Sequence, residues 1–295
     1  MNRLHSLVFL ALLLHLIVGC TEHRNEIDME FPDYKPTLVV LAGASPLSGA
    51  QATIKWSVPL KGQKGEVPNS PNLSLFLLEN NERKTQFNKD SIGFFSIKPE
   101  NIKLSQNKGY SLEIVFNDSN KSIFSDESYL PAEPVIKDVH AHYISQSPPW
   151  LELTYTQMAT TSAISGISIA TTPIAGSGNS TEKPSFLNYL NTSSFIDTEG
   201  INLPETKRTL TLSGELGMES HEAADTINLK IAYLSKELTT FKNEVDQLDY
   251  MGESIFQTIK PVFSNINGAS GVFGLYNESS DTTAISKENN SNNRP

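Results

Sequence analysis

The chain of 295 residues has one cysteine. A single thiol excludes a disulfide framework and any metal site built on paired cysteines. Aromatic residues are few, at 8 % of the chain with two tryptophans. Basic residues are also scarce: 23 Lys and Arg stand against 33 Asp and Glu, a net charge of −10. An acidic chain with scattered cations lacks the basic face that nucleic-acid phosphates require. Nor does it offer the polybasic patch that anionic headgroups attract. Several catalytic fingerprints are missing as well. No phosphate-binding loop, dinucleotide-binding glycine pattern or G-x-S-x-G elbow occurs between a strand and a helix.

What is present begins at the N-terminus. Leu7 to Gly19 is apolar apart from His15, follows Asn2-Arg3, and leads straight into Cys20, the lone cysteine. A helix of 13 residues rises only about 20 Å, short of a hydrocarbon core of about 30 Å. The segment therefore reads as a signal peptide, 1–19, ending in a lipobox, with Cys20 as the lipidated residue. Several acyl chains, palmitate among them, would make such an anchor stable. Removing the leader leaves 276 residues, enough for one large or two medium domains.

Residues 20–36 are polar, hold Pro32 and Pro36, and read as a lipidated tether. Glu22, Glu26 and Asp28 are a dilute form of the acidic export signals of surface lipoproteins. From Thr37 short alternating runs replace them, including Leu73-Leu75-Leu77 and Tyr110-Leu112-Ile114-Phe116. Glu79-Asn80-Asn81-Glu82 reads as a hairpin turn. These runs predict an N-terminal β-sandwich over 37–131, immunoglobulin-like or transthyretin-like. Pro131-Ala132-Glu133-Pro134 marks a domain boundary. A second β-rich domain is expected over 134–276, with alternating runs at 139–143, 151–155, 166–170, 209–213 and 225–233. Leu234, Leu238, Phe241, Val245 and Leu248 change the period and predict one amphipathic helix over about 235–249, with Ser235 as its N-cap. Residues 277–295 read as a disordered tail. The fold class is mainly β, with one C-terminal helix.

Candidate chemistry is thin. His140 and His142 share a strand face and could chelate, but two histidines fall short of a closed zinc site, so a pair of exposed strand histidines is the expectation. Ser177 sits between two glycines in a flexible loop. Asp126-Glu127 lies in a polar turn. Trp150, after Pro148-Pro149, is the better candidate for an exposed stacking platform, whereas Trp56 is expected in the core. Asp90-Ser91-Ile92, Asp225-Thr226-Ile227 and Asp281-Thr282-Thr283 resemble a short O-glycosylation motif. No catalytic, cofactor-binding or metal site is assigned, and no cofactor is expected.

The segment Ile259 to Asn277, IKPVFSNINGASGVFGLYN, resembles the C-terminal signature of a Bacteroidota outer-membrane lipoprotein family, domain of unknown function 4249. Pro261, Ser264, Asn265, Gly268, Gly271, Phe273, Gly274 and Tyr276 carry the match, and Ala269 departs from it. The resemblance implies an outer-membrane lipoprotein whose gene often lies beside one for a TonB-dependent receptor. On that reading the protein is a non-enzymatic accessory or ligand-capture subunit of an uptake system, its partner the receptor. The alternative is a structural or adhesive envelope protein. The signature glycines themselves are expected to fix a bulge and a close helix–sheet contact, not a ligand site.

Overall fold

A computed structural model describes residues 33–59, 64–144, 150–159, 164–174, 194–201, 204–213, 226–251 and 262–287. The chain divides into two units, 1–35 with 59–66, and 36–58 with 67–295. In the smaller unit the Tyr34 N–H donates to the Lys64 carbonyl at 3.0 Å.

The larger unit starts with a hairpin of β1 (Leu38–Ser45) and β2 (Gly49–Trp56). Leu38, Val40, Ala42 and Ala44 alternate into the core against Ala50, Ala52 and Ile54. The buried run continues through Gly43, and Ala44 is still fully buried. β3 (Leu73–Glu79) and β4 (Glu82–Gln86) meet at Asn80 and Asn81, whose φ angles of 51° and 66° make the left-handed turn that asparagine tolerates. β5 (Asn88–Ser91), β6 (Phe94–Ile97), β7 (Gly109–Phe116), β8 (Lys121–Phe124) and β9 (Ser128–Tyr129) follow. One core joins Val40 and Ile54 to Leu75, Leu77, Tyr110, Leu112 and Ile114, so two sheets pack face to face. The outer face of β7 is covered as well. Ser111 and Glu113 are buried, and Arg83 covers Glu113 with a two-pronged ion pair at 2.5 and 2.7 Å.

The remaining strands are β10 (Ile136–Ile144), β11 (Trp150–Gln157), β12 (Ile164–Ile174), β13 (Ser194–Ile201), β14 (Thr206–Ser213), β15 (Thr226–Leu234) and β16 (Ser270–Lys287). Among the described residues they complete an eleven-stranded sheet beside the five-stranded β4-β3-β7-β8 with β9. Ile167, Ile169, Ile227, Leu229, Ile231 and Tyr233 pack with Val139, Leu153 and Tyr155 in a second core. The one helix among the described residues, α1 (Lys236–Met251), lays Leu238, Phe241 and its neighbours on Val272 and Tyr276. This is the mainly β class, with two sheets and a helix near the C-terminus, that the alternation predicts.

β16 departs from expectation. Residues 277–287 are not a tail but the long second half of this strand. Its first part runs parallel to β1 (Val39↔Ser270 to Ala44↔Leu275), its middle antiparallel to β15 (Leu234↔Tyr276 to Thr226↔Ala284), and its end parallel to β10. One strand therefore crosses the boundary drawn at 131–134 and supplies Phe273 and Leu275 to the N-terminal core.

Candidate functional site

Alternation along β15 sends Ile227, Leu229, Ile231 and Tyr233 inward, which leaves Asn228 and Lys230 on the opposite face with Ala232. The antiparallel register sets Thr282 against Asn228, Ser280 against Lys230 and Glu278 against Ala232, so all six share that face. The β1–β2 turn lies over the ribbon. Ser45 fixes this turn by accepting the Leu47 and Ser48 N–H groups at 3.1 and 3.3 Å. Its hydroxyl in turn donates to Glu278 Oε1 at 2.7 Å.

Two adjoining clefts result. One, of about 300 Å³, is bounded by Leu47, Ser48, Gln51, Pro99, Asn228 and Lys230, and the other, of about 600 Å³, by Leu104, Gln106, Leu130, Glu133, Asn277 and Ser279. They share Leu47, Glu278 and Ser280. Glu278 is 4 % exposed, a buried carboxylate in a cleft wall. Burial lowers the affinity of the Lys230 amine for its proton, and the Glu278 charge partly restores it. Among the described residues no acceptor lies within hydrogen-bond distance of that amine. Asn228 donates from Nδ2 to Thr282 Oγ1 at 3.0 Å, while its Oδ1 is buried without a partner. Beneath them burial and the Glu278 charge push the Tyr276 hydroxyl well above its ordinary range, against the pull of the Ser48 hydroxyl.

The residues singled out from sequence fall elsewhere. Cys20 and Ser177 lie outside the described residues, as does the Trp150 side chain. His140 is exposed, opposite buried Val139 and Ala141, as alternation predicts. His142 lies 2.9 Å from Ser286 Oγ through Nδ1, directly across the β10–β16 ladder. This is not a base beside a nucleophile, because the Ser286 hydroxyl already donates to the Ala141 carbonyl at 2.9 Å. Among the described residues no three His, Cys, Asp or Glu side chains are placed to hold a metal. Glu127 accepts from the Tyr129 hydroxyl at 3.0 Å, and the Asp126 N–H donates to the Asn265 carbonyl. Trp56 is half-buried against the N-terminal core and donates from Nε1 to Asn69 O at 3.0 Å. Of the three glycosylation-like triplets, Ser91 and Thr282 are exposed, whereas Ile227 beside Thr226 is fully buried.

The C-terminal signature serves the fold. Gly271, at φ +120°, passes so near β1 that an added Cβ would lie 1.9 Å from the Val40 carbonyl oxygen. At Gly274 an added Cβ would lie 2.5 Å from Leu238 Cγ, so the glycine lets α1 close on the sheet. Ser235 precedes α1 and its carbonyl accepts the Thr239 N–H, but its hydroxyl is buried without a partner and makes no capping bond. Its own N–H is held by the Leu275 carbonyl, and its hydroxyl lies beside Gly274 of β16, 2.8 Å from where an added Cβ would stand.

Sequence reasoning missed the cleft. The alternation of β15 places Asn228 and Lys230 on one face, but nothing near Glu278 in sequence marks that polar stretch as a strand.

Comparison with curated proteins finds no match. A solved protein of Bacteroides uniformis, provisionally described as carbohydrate binding, aligns with 11 % identity and a TM-score of 0.23, over 67 % of this chain and 90 % of its own. A likeness that loose carries no functional statement for this chain. Residues 24–282 match the family described as "Domain of unknown function (DUF4249)". The match spans most of the sequence and takes in the two-cleft scaffold and the glycine-bearing segment of β16, and the chain belongs to that family.

Proposed function

We propose that the protein is a lipid-anchored outer-membrane protein. It acts as a non-catalytic ligand-capture or accessory subunit of a TonB-dependent uptake system. The observation that carries this reading is the lone cysteine at the end of a short apolar leader, the arrangement lipidation requires. The clefts around Glu278 supply a place for ligand capture, and their polar groups converge without a nucleophile–base pair among the described residues. The family resemblance supplies the receptor as partner.

The test is co-purification. Native outer membranes are dissolved in mild detergent and the tagged full-length protein is recovered; a large β-barrel receptor is expected with it. Repeated isolation of the protein alone overturns the uptake role and leaves the structural or adhesive envelope reading. Cys20→Ser is expected to move the protein into the soluble fraction, and retention in membranes overturns the anchor.

A further inference from the structure

The smaller cleft, where it adjoins the larger, carries opposite charges on the β15–β16 ribbon. Lys230 and Glu278 sit on neighbouring antiparallel strands, diagonal across the Lys230↔Ser280 and Ala232↔Glu278 pairs, so their backbones are about 7–8 Å apart. The Lys230 ammonium has no described acceptor within hydrogen-bond distance, yet it is partly withdrawn from water. Glu278 spends Oε1 on Ser45 and still lines both clefts. Glu133 adds a second carboxylate on the larger cleft, away from Lys230. Hydroxyls and amides of Ser48, Ser280 and Gln51 surround the junction, and Leu47 with Pro99 gives it an apolar wall.

A partly desolvated cation with no hydrogen-bonded acceptor is costly, and a bound anion lowers that cost. A ligand carrying only an anion would bring its charge against Glu278. A neutral sugar would leave Lys230 unpaired, and no aromatic ring is among the described residues that line either cleft, so it would have nothing to stack on. A molecule with both charges a few ångströms apart meets both groups. We propose that this junction binds a free α-amino acid, its carboxylate on Lys230, its ammonium toward Glu278 and its side chain against Leu47 and Pro99. A cleft of about 300 Å³ is at the small end for ligand sites and suits a solute of that size. The proposal rests on the ligand-capture reading and names its ligand class.

The experiment is calorimetry on the detergent-solubilised full-length protein. The probes are an equimolar mixture of the twenty L-amino acids and then single amino acids such as L-leucine. N-acetyl-L-leucine, L-leucinamide and glucose are the controls. Saturable binding is expected, at least tenfold weaker when either end of leucine is blocked and at least tenfold weaker in Lys230→Met. The absence of saturable heat at millimolar amino acid overturns the proposal. So does glucose binding as tightly as leucine, or a Lys230→Met protein that binds like the parent. The blocked ligands test the unaltered protein, so the result does not depend on how the variant folds. Receptor co-purification is read separately. A receptor found without amino-acid binding sinks this proposal alone, and amino-acid binding without a receptor sinks the uptake partner alone.

Discussion

The side chain of Asn265 takes both main-chain hydrogen bonds of Phe273. Its Nδ2 donates to the Phe273 carbonyl at 2.8 Å and its Oδ1 accepts the Phe273 N–H at 2.9 Å. Both residues are buried, so one amide does what a neighbouring strand would do at this point of β16.

Asn265→Ala leaves a buried N–H and a buried carbonyl unpaired. The expected loss is about 2–6 kcal/mol, since each of the two orphaned groups costs about 1–3 kcal/mol. Asn265→Asp keeps an acceptor but loses the donor, and is also expected to destabilise at neutral pH. Urea midpoints of the three proteins check both statements.

Gly274 and Leu238 form a second coupled pair. Gly274→Ala pushes a methyl toward Leu238 Cγ and is expected to cost about 1–3 kcal/mol through overpacking. Leu238→Ala opens a cavity and costs about 2–5 kcal/mol. The new methyl of Gly274→Ala partly fills that cavity, so the double variant loses less than the sum of the two. Denaturation of all four proteins in a double-mutant cycle gives the coupling, and strict additivity would refute the packing account.

The Arg83 guanidinium holds the Glu113 carboxyl below the ordinary carboxylate range. A carboxyl whose folded pKa is depressed contributes stability above its unfolded pKa of about 4.3 and loses it as pH falls through the folded value. Arg83→Met is therefore expected to melt below the parent at pH 7, with the gap shrinking as pH falls under about 4. A gap that is constant from pH 7 to pH 3 would show that the Arg83 guanidinium lying over the Phe76 ring, and not its pairing with Glu113, carries the effect.

Tyr155 behaves in the opposite sense. Burial pushes its hydroxyl up to about 12. Its ordinary value is about 10, so the stability tied to the neutral form is complete below pH 10 and is lost as pH rises from there toward 12. The hydroxyl also lacks a partner. Tyr155→Phe is expected to be neutral or stabilising by about 1 kcal/mol at pH 7 and to flatten the alkaline fall in stability. Thermal melts between pH 7 and 11 test this.

The helix and most strands were legible because each buries one face, and a buried face leaves a period in the sequence. Leu238 and Phe241 follow 3.6, and Leu73, Leu75 and Leu77 follow 2. The second half of β16 was not legible. Asn277-Glu278-Ser279-Ser280-Asp281 is as polar as a solvated tail, and only its hydrogen-bond partner β15 makes it a strand. β13, with Ser194, Asp197 and Gly200, was missed for the same reason and pairs with β12. The cleft was hidden by distance along the chain. Ser45 and Glu278 touch across 233 positions, a relation that no local window contains.

The place of β16 also sets a timetable. Val39 pairs with Ser270, so β1 waits for its parallel neighbour until the ribosome has added 231 more residues. Contacts of such long range close late and slowly. The first hairpin can form early, but the sheet it belongs to stays open on one side until almost the whole chain is available. A polypeptide built this way keeps one edge of its first hairpin unpaired until those distant residues have emerged, an order of folding compatible with the export proposed above.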